Sequence, residues 1–207
     1  MPDALKNIES VAAIITGDNI DTDQIIPSRE ITSTGRDGLR DGLFANQRYL
    51  DLETRRPDPD FPLNRPPFES AKILISDKNF GCGSSREHAV WALHEFGIRA
   101  IIAESFGEIF HANCINNSIA PIVLNKDDLL GLQSVLRETA SQVLRIDIER
   151  QLITSSDLPA IAFELNPTDQ SRLTGGLDLI DLTNTNKDDI EAFIARDKTQ
   201  RPWVYEI

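Results

Sequence analysis

The stretch from Lys72 to Ala103 constrains the fold more than any other part of this 207-residue chain. Ile73-Leu74-Ile75 is a short, wholly apolar run of the kind that builds a strand covered on both faces. The loop residues Asn79-Phe80-Gly81-Cys82-Gly83 come next, and Ser84 to Phe96 then reads as an amphipathic helix with Ala89, Val90, Leu93 and Phe96 approximating one face. Gly97 suits the C-cap of that helix, and Arg99 to Ala103 is a second buried strand. Strand, helix and strand in this order form a βαβ unit, in which the helix carries the chain back so that both strands run parallel.

The flanking segments extend that unit. Val11 to Thr16 and Ala120 to Leu124 are further apolar strands, and Ser105-Phe106-Gly107-Glu108 has the capping-box spacing that starts a helix. Asp127 to Thr139 is a helix whose apolar set is Leu129, Leu130, Leu132, Val135 and Leu136. Beyond it the period changes from helical to alternating. Leu144, Ile146 and Ile148 alternate with charged residues, Ile161, Phe163 and Leu165 do likewise, and the two runs suggest an antiparallel hairpin. Asn186 to Lys198 reads as a terminal helix, followed by a tail from Arg201 to Ile207. Ser28 to Asn46 shows no period and is expected to be a mobile loop. Pro57, Pro59, Pro62, Pro66 and Pro67 mark an extended connection that wraps the surface without dividing the chain. The expected architecture is α/β, a parallel βα core carrying an antiparallel layer. It forms one domain over residues 1–207, with a loop-rich insertion at 28–70 and a helix and tail at 186–207.

Composition excludes several function classes. A net charge of −12 argues against non-specific binding to nucleic acid or to an anionic membrane. Cys82 and Cys114 are too few for a disulfide framework, no apolar run approaches a membrane span, and no secretory leader is evident. A soluble cytoplasmic protein is the expectation.

The chemistry is concentrated in Asn79-Phe80-Gly81-Cys82-Gly83-Ser84-Ser85-Arg86-Glu87-His88. Glycines let the backbone approach a ligand, Ser84 and Ser85 are expected at a helix start that attracts anions, and Arg86 can grip a carboxylate with two hydrogen bonds. Ser84 and Glu87 also fit a capping box, so at this level Ser84 is either a cap or a reactive hydroxyl. As a base, a serine needs strong positive potential to hold an alkoxide. The run lacks the third glycine of a dinucleotide fingerprint and the lysine of a P-loop. Cys82 reads as a small residue in a tight turn rather than a thiolate nucleophile, and neither the cysteines nor His88, His94 and His111 have metal-site spacing. Asp18, Asp21 and Asp23 lack the glycine and distant glutamate of a calcium loop, and Asx turns account for them; Asp23, placed in a site, could instead orient a cation or hydroxyl.

Asp21-Thr22-Asp23-Gln24-Ile25-Ile26-Pro27, the Gly-Ser-Ser-Arg-Glu-His run and Phe110-His111-Ala112-Asn113 together resemble the small subunits of 3-isopropylmalate dehydratases, the separate-chain form of the aconitase swivel domain. Leu43-Phe44, Pro59-Asp60-Phe61 and Gly175-Gly176-Leu177-Asp178 extend the resemblance over nearly the whole chain, in the longer, bacterial form. It implies a swivelling β/β/α three-layer domain. It also implies a hydro-lyase of leucine biosynthesis that interconverts 2-isopropylmalate and 3-isopropylmalate through isopropylmaleate. A [4Fe–4S] cluster is implied on a large partner subunit and none on this chain, whose two cysteines cannot hold one. Residue by residue, Ser84 matches the alkoxide that removes and returns the proton and Arg86 the arginine that holds a substrate carboxylate. Ser85 matches a serine lining the same pocket and Asp23 an aspartate supporting the charged network; His88 and Asn113 match motif positions whose role is to support the loop.

One loop departs from the pattern. The family usually carries a lysine after Ile-Ile-Pro and an arginine before Thr-Gly, where this chain has Ser28 and Ser33; Arg29 and Arg36 are the candidate substitutes. The departure leaves other malate-like diacids (homoaconitate, methylmalate, dimethylmalate) as alternative substrates, and a non-catalytic carboxylate-binding module as a reading from another class.

Overall fold

The computed structural model describes residues 3–31, 35–139, 142–156 and 158–205. Ser33 and Thr34 of the departing loop, and the last two residues of the expected tail, lie outside them.

Strand β1 (Asn7–Ile14) opens the chain, and the one-turn helix α1 (Thr22–Ile25) follows. Helix α2 (Ala45–Arg48) leads into a small hairpin of β2 (Tyr49–Asp51) and β3 (Arg56–Pro57). The core then alternates β4 (Ile73–Ile75), α3 (His88–Phe96), β5 (Ala100–Ala103), α4 (Glu108–Asn116), β6 (Ala120–Val123) and α5 (Lys126–Glu138). Strands β7 (Val143–Asp147), β8 (Leu152–Thr154) and β9 (Ile161–Ala162) come next, then helices α6 (Pro167–Gly175), α7 (Leu179–Asn184) and α8 (Lys187–Gln200).

Among the described residues the main sheet has seven strands in the order β6-β5-β4-β1-β7-β8-β9. β6, β5, β4 and β1 are parallel, with Ala12 opposite Ile73 and Ile73 opposite Ala100. β1 also pairs antiparallel with β7 through Asn7 to Val11, so the antiparallel strands continue the same sheet through β1. That second partner explains why β1 starts at Asn7 rather than Val11. The expected hairpin of the two alternating runs is a meander instead, because β8 stands between β7 and β9 and pairs with both.

Alternation along the parallel strands feeds two cores. Leu74 and Ile101 face a cluster with Val90, Leu93 and Phe96 of α3, while Ile73, Ile75 and Ile102 face one with Leu129, Leu132 and Leu136 of α5. The antiparallel half enters the second cluster through Leu144, Ile146 and Ile153. Gly97 ends α3 at φ +121°, as its position in sequence predicted. The segment expected to be a mobile loop is pinned in its described part: Leu39, Leu43 and Phe44 are buried, and Ser28–Glu30 and Arg40–Gly42 form 3-10 turns. The proline-rich connection holds two more such turns, Pro62–Asn64 and Phe68–Ser70.

Candidate active site

Three loops leave the carboxyl ends of β1, β4 and β5 and are bonded to one another there, the end of a parallel sheet where α/β proteins place their ligands. Gly81 N–H donates to the Ile20 carbonyl (2.7 Å), Thr22 N–H to the Cys82 carbonyl (3.0 Å), Phe80 N–H to the Ser105 carbonyl (3.0 Å) and Gly107 N–H to the Phe80 carbonyl (2.9 Å). Asn79 N–H donates to Ser105 Oγ (2.9 Å), and its side chain donates to Asn19 Oδ1 (2.8 Å). Underneath, the Phe80 and Phe110 rings meet edge to face at 5.5 Å, and Phe106 stacks parallel to Phe110 at 6.5 Å. Gly81 lies directly against this floor at φ +74°, and a Cβ there would stand 2.1 Å from Phe110 Cγ. Gly83, at φ +94°, completes the bend that brings Ser84 beside α1.

These bonds move the start of α3. The helix begins at His88 with Glu87 as N-cap and no side-chain cap, so the capping box of Ser84 and Glu87 does not form, and Ser84 and Ser85 precede the helix rather than starting it. Ser84 N–H donates instead to Thr22 Oγ1 (3.3 Å), and the Glu87 carboxylate accepts from Asn117 Nδ2 (2.7 Å). Ser105 likewise caps nothing, since its hydroxyl holds Asn79 and α4 begins after Gly107. The donors that reach Ser84 Oγ therefore come from Arg86 and not from the first turn of α3.

Ser84 Oγ accepts two hydrogen bonds from Arg86, one from the main-chain N–H (3.3 Å) and one from Nε (3.1 Å). The rest of the guanidinium is held from the side: Nη1 donates to Ser28 Oγ (2.6 Å), and Nη2 lies 3.0 and 3.1 Å from the two Asp23 oxygens. Ser28 Oγ–H donates in turn to Asp23 Oδ1 (3.1 Å). Asp23 sits in α1, whose N-cap Asp21 accepts from Gln24 N–H (2.7 Å), the Asx geometry expected of that loop. Donors aimed at a hydroxyl oxygen, one of them cationic, favour its deprotonated form.

Of the four site residues expected from sequence, Ser84, Arg86 and Asp23 are in direct contact or one bond apart. Ser85 is exposed, and its carbonyl is 3.5 Å from Asn113 Nδ2, while Asn117 Nδ2 donates to the Asn113 carbonyl (2.8 Å). His88 packs its ring on Trp91 at 4.8 Å. Neither candidate substitute in the departing loop reaches the Ser84–Arg86 pair: Arg29 bonds Asn46 and Glu30, and Arg36 lies over the Trp91 ring at 5.2 Å. Sequence reasoning missed three contributors, Thr22, Ser28 and Asn117. Thr22 lies inside the Asp-Thr-Asp run and Ser28 directly follows Pro27, whereas nothing local marks Asn117.

The chain's own residues do not fit an iron–sulfur cluster. Cys114 is sealed in the core, where burial pushes its thiol well above the ordinary value, and Cys82 sits in the glycine bend with its carbonyl bound to Thr22. No three metal-ligating side chains stand together among the described residues.

Residues 3–127 match the aconitase C-terminal domain. The small subunit of 3-isopropylmalate dehydratase from Cupriavidus necator is 45% identical over 94% of both chains. That from Rhodopseudomonas palustris (strain TIE-1) is 44% identical over 98% of this chain and 100% of its own. The chain belongs to the 3-isopropylmalate dehydratase small-subunit family. A solved member of this family, from Methanocaldococcus jannaschii, superposes with a TM-score of 0.65 at 27% identity, covering 90% of this chain and 99% of its own. None of the described helices is long and apolar enough to cross a membrane.

Proposed function

We propose that the chain serves as the small, swivelling subunit of a cytoplasmic 3-isopropylmalate dehydratase. It interconverts 2-isopropylmalate and 3-isopropylmalate through isopropylmaleate, with residues 1–207 acting as one domain. The observation that carries this reading is the pair of N–H donors from Arg86 on Ser84 Oγ. As alkoxide, Ser84 takes the proton from the carbon beside a carboxylate; the C–H electron pair becomes the new double bond while hydroxide leaves the neighbouring carbon. In the return step the protonated Ser84 gives its proton back. Arg86 stabilises the alkoxide through Nε and engages a substrate carboxylate with guanidinium hydrogens not used by Ser28 and Asp23. Ser85 lines the anion pocket, and Asp23 fixes the guanidinium plane. A [4Fe–4S] cluster on a separate large subunit supplies the Lewis acid for the departing hydroxyl.

The test is reconstitution with that large subunit and a panel of malate-like diacids. The chain alone is expected to be colourless and inactive, and the complex to turn over isopropylmalate faster than homoaconitate, methylmalate or dimethylmalate. Ser84→Ala should abolish turnover while leaving assembly intact. Activity surviving that substitution rules out the alkoxide, and iron–sulfur absorbance in the isolated chain rules out the division of labour.

A further inference from the structure

Ser28 follows Pro27 just after α1, and its geometry gives it a task of its own. Its hydroxyl accepts from Arg86 Nη1 at 2.6 Å and donates to Asp23 Oδ1 at 3.1 Å, closing a ring of Asp23, Ser28 and the guanidinium. The residue is exposed, so this ring is not the by-product of core packing. Its backbone is nevertheless held. Pro27 leads into the 3-10 turn Ser28–Glu30, and buried Glu30 anchors the turn through ion pairs with Arg55 and with Arg29 (3.2 Å). Gly42 leaves room for that anchor, since a Cβ there would stand 2.6 Å from Glu30 Cβ.

We infer that Ser28 is a positioning residue for proton transfer: it locks the Arg86 guanidinium against Asp23 so that Nε stays aimed at Ser84 Oγ. A flexible arginine held only by exposed Asp23 would sample many rotamers, and each departure of Nε removes a charge-assisted bond from the alkoxide. Ser28 touches neither the reacting atoms nor Ser84. Its influence passes through Arg86 and appears as the ease with which Ser84 gives up its proton.

The inference rests on the proposed role of Ser84, and the experiment separates the two. Ser28→Ala, Ser28→Thr and Ser84→Ala are each assembled with the cluster-bearing large subunit and assayed on 2-isopropylmalate from neutral to alkaline pH. Loss of one hydrogen bond to a charged group should lower kcat of Ser28→Ala about tenfold at neutral pH, with a smaller change in KM. Ser28→Thr, which keeps the hydroxyl, should recover most of the rate. A purely structural loss would lower the amount of assembled enzyme and leave kcat per assembled complex unchanged. The inference is overturned by a Ser28→Ala enzyme with wild-type kcat, by a deficit carried by KM rather than kcat, or by Ser28→Thr as slow as Ser28→Ala. Retained turnover in Ser84→Ala overturns the role of Ser84 itself, whatever Ser28 does.

Discussion

Arg86→Lys keeps the charge of the site and removes its geometry. The guanidinium contacts Ser84 Oγ through Nε at 3.1 Å, Ser28 Oγ through Nη1 at 2.6 Å and Asp23 through Nη2 at 3.0 Å. A single ammonium cannot span these three partners, and the negative carboxylate of Asp23 is the one that captures it. The main-chain N–H of residue 86 remains on Ser84, so one of its two donors survives. A hydrogen bond from a charged donor contributes about 1.5–3 kcal/mol, so losing the Nε bond in the transition state should lower kcat by roughly 10- to 150-fold. Loss of the planar fork for a substrate carboxylate should add a rise in KM of about tenfold. The assay is steady-state turnover of the assembled enzyme, followed by the ultraviolet absorbance of the conjugated alkene diacid. A kcat/KM within about threefold of wild type corresponds to well under 1 kcal/mol of lost transition-state stabilisation and refutes the reasoning.

Two further outcomes follow from other parts of the fold. Gly81→Ala combines a left-handed backbone, at about 1–2 kcal/mol for a residue with a Cβ, with overpacking on Phe110 at about 1–3 kcal/mol. Denaturant unfolding should therefore show a loss of roughly 2–5 kcal/mol, and a change below about 0.5 kcal/mol contradicts the close approach. Burial alone would raise the Glu95 carboxyl, but N–H donors from Gly38, Leu39 and Arg40 together hold it below its ordinary value. The folded state thus binds fewer protons than the unfolded one across that window, and the resulting stability is present above the ordinary glutamate pKa and lost as pH falls through the depressed one. The thermal midpoint of Glu95→Gln should lie below that of wild type at neutral pH and converge with it in acid; a constant gap contradicts this.

Much of the parallel core was legible because burial on both faces leaves an unmistakable apolar run, as in Ile73-Leu74-Ile75, and because Gly97 has one evident use. The start of α3 was not. Ser84 and Glu87 satisfy a local capping rule, but each finds a partner far away in sequence, Thr22 for Ser84 N–H and Asn117 for the Glu87 carboxylate, and local rules do not count such partners. β8 was missed because Leu152 and Ile153 adjoin each other without alternation. α6 escaped notice although Asn166 caps it and Pro167 opens it, because few of its side chains are buried and its apolar stripe is short. At the site, the motif named Ser84, Arg86 and Asp23, and their mutual contact is what the fold adds. The part proposed for Ser28 rests on its bonds to Arg86 and Asp23, which a departure from a sequence pattern does not announce.

The charges in this cluster bear on why a second subunit is needed. Asp23 and Arg86 pair within 3.0 Å, so their formal charges cancel. Under the proposed mechanism an alkoxide at Ser84 adds one negative charge and a diacid substrate two more, against a chain whose own net charge is −12. Ser28 contributes no positive charge. Like charges about 4 Å apart cost about 4 kcal/mol each near a protein surface, and for several such pairs this exceeds what the two N–H donors on Ser84 offset. Under that mechanism the Arg86 donors aim at Ser84 and favour its alkoxide, but they do not by themselves offset the added negative charge. On the proposed reading, positive charge arrives with the partner subunit, and Ser84 is expected to give up its proton once the two chains enclose the diacid.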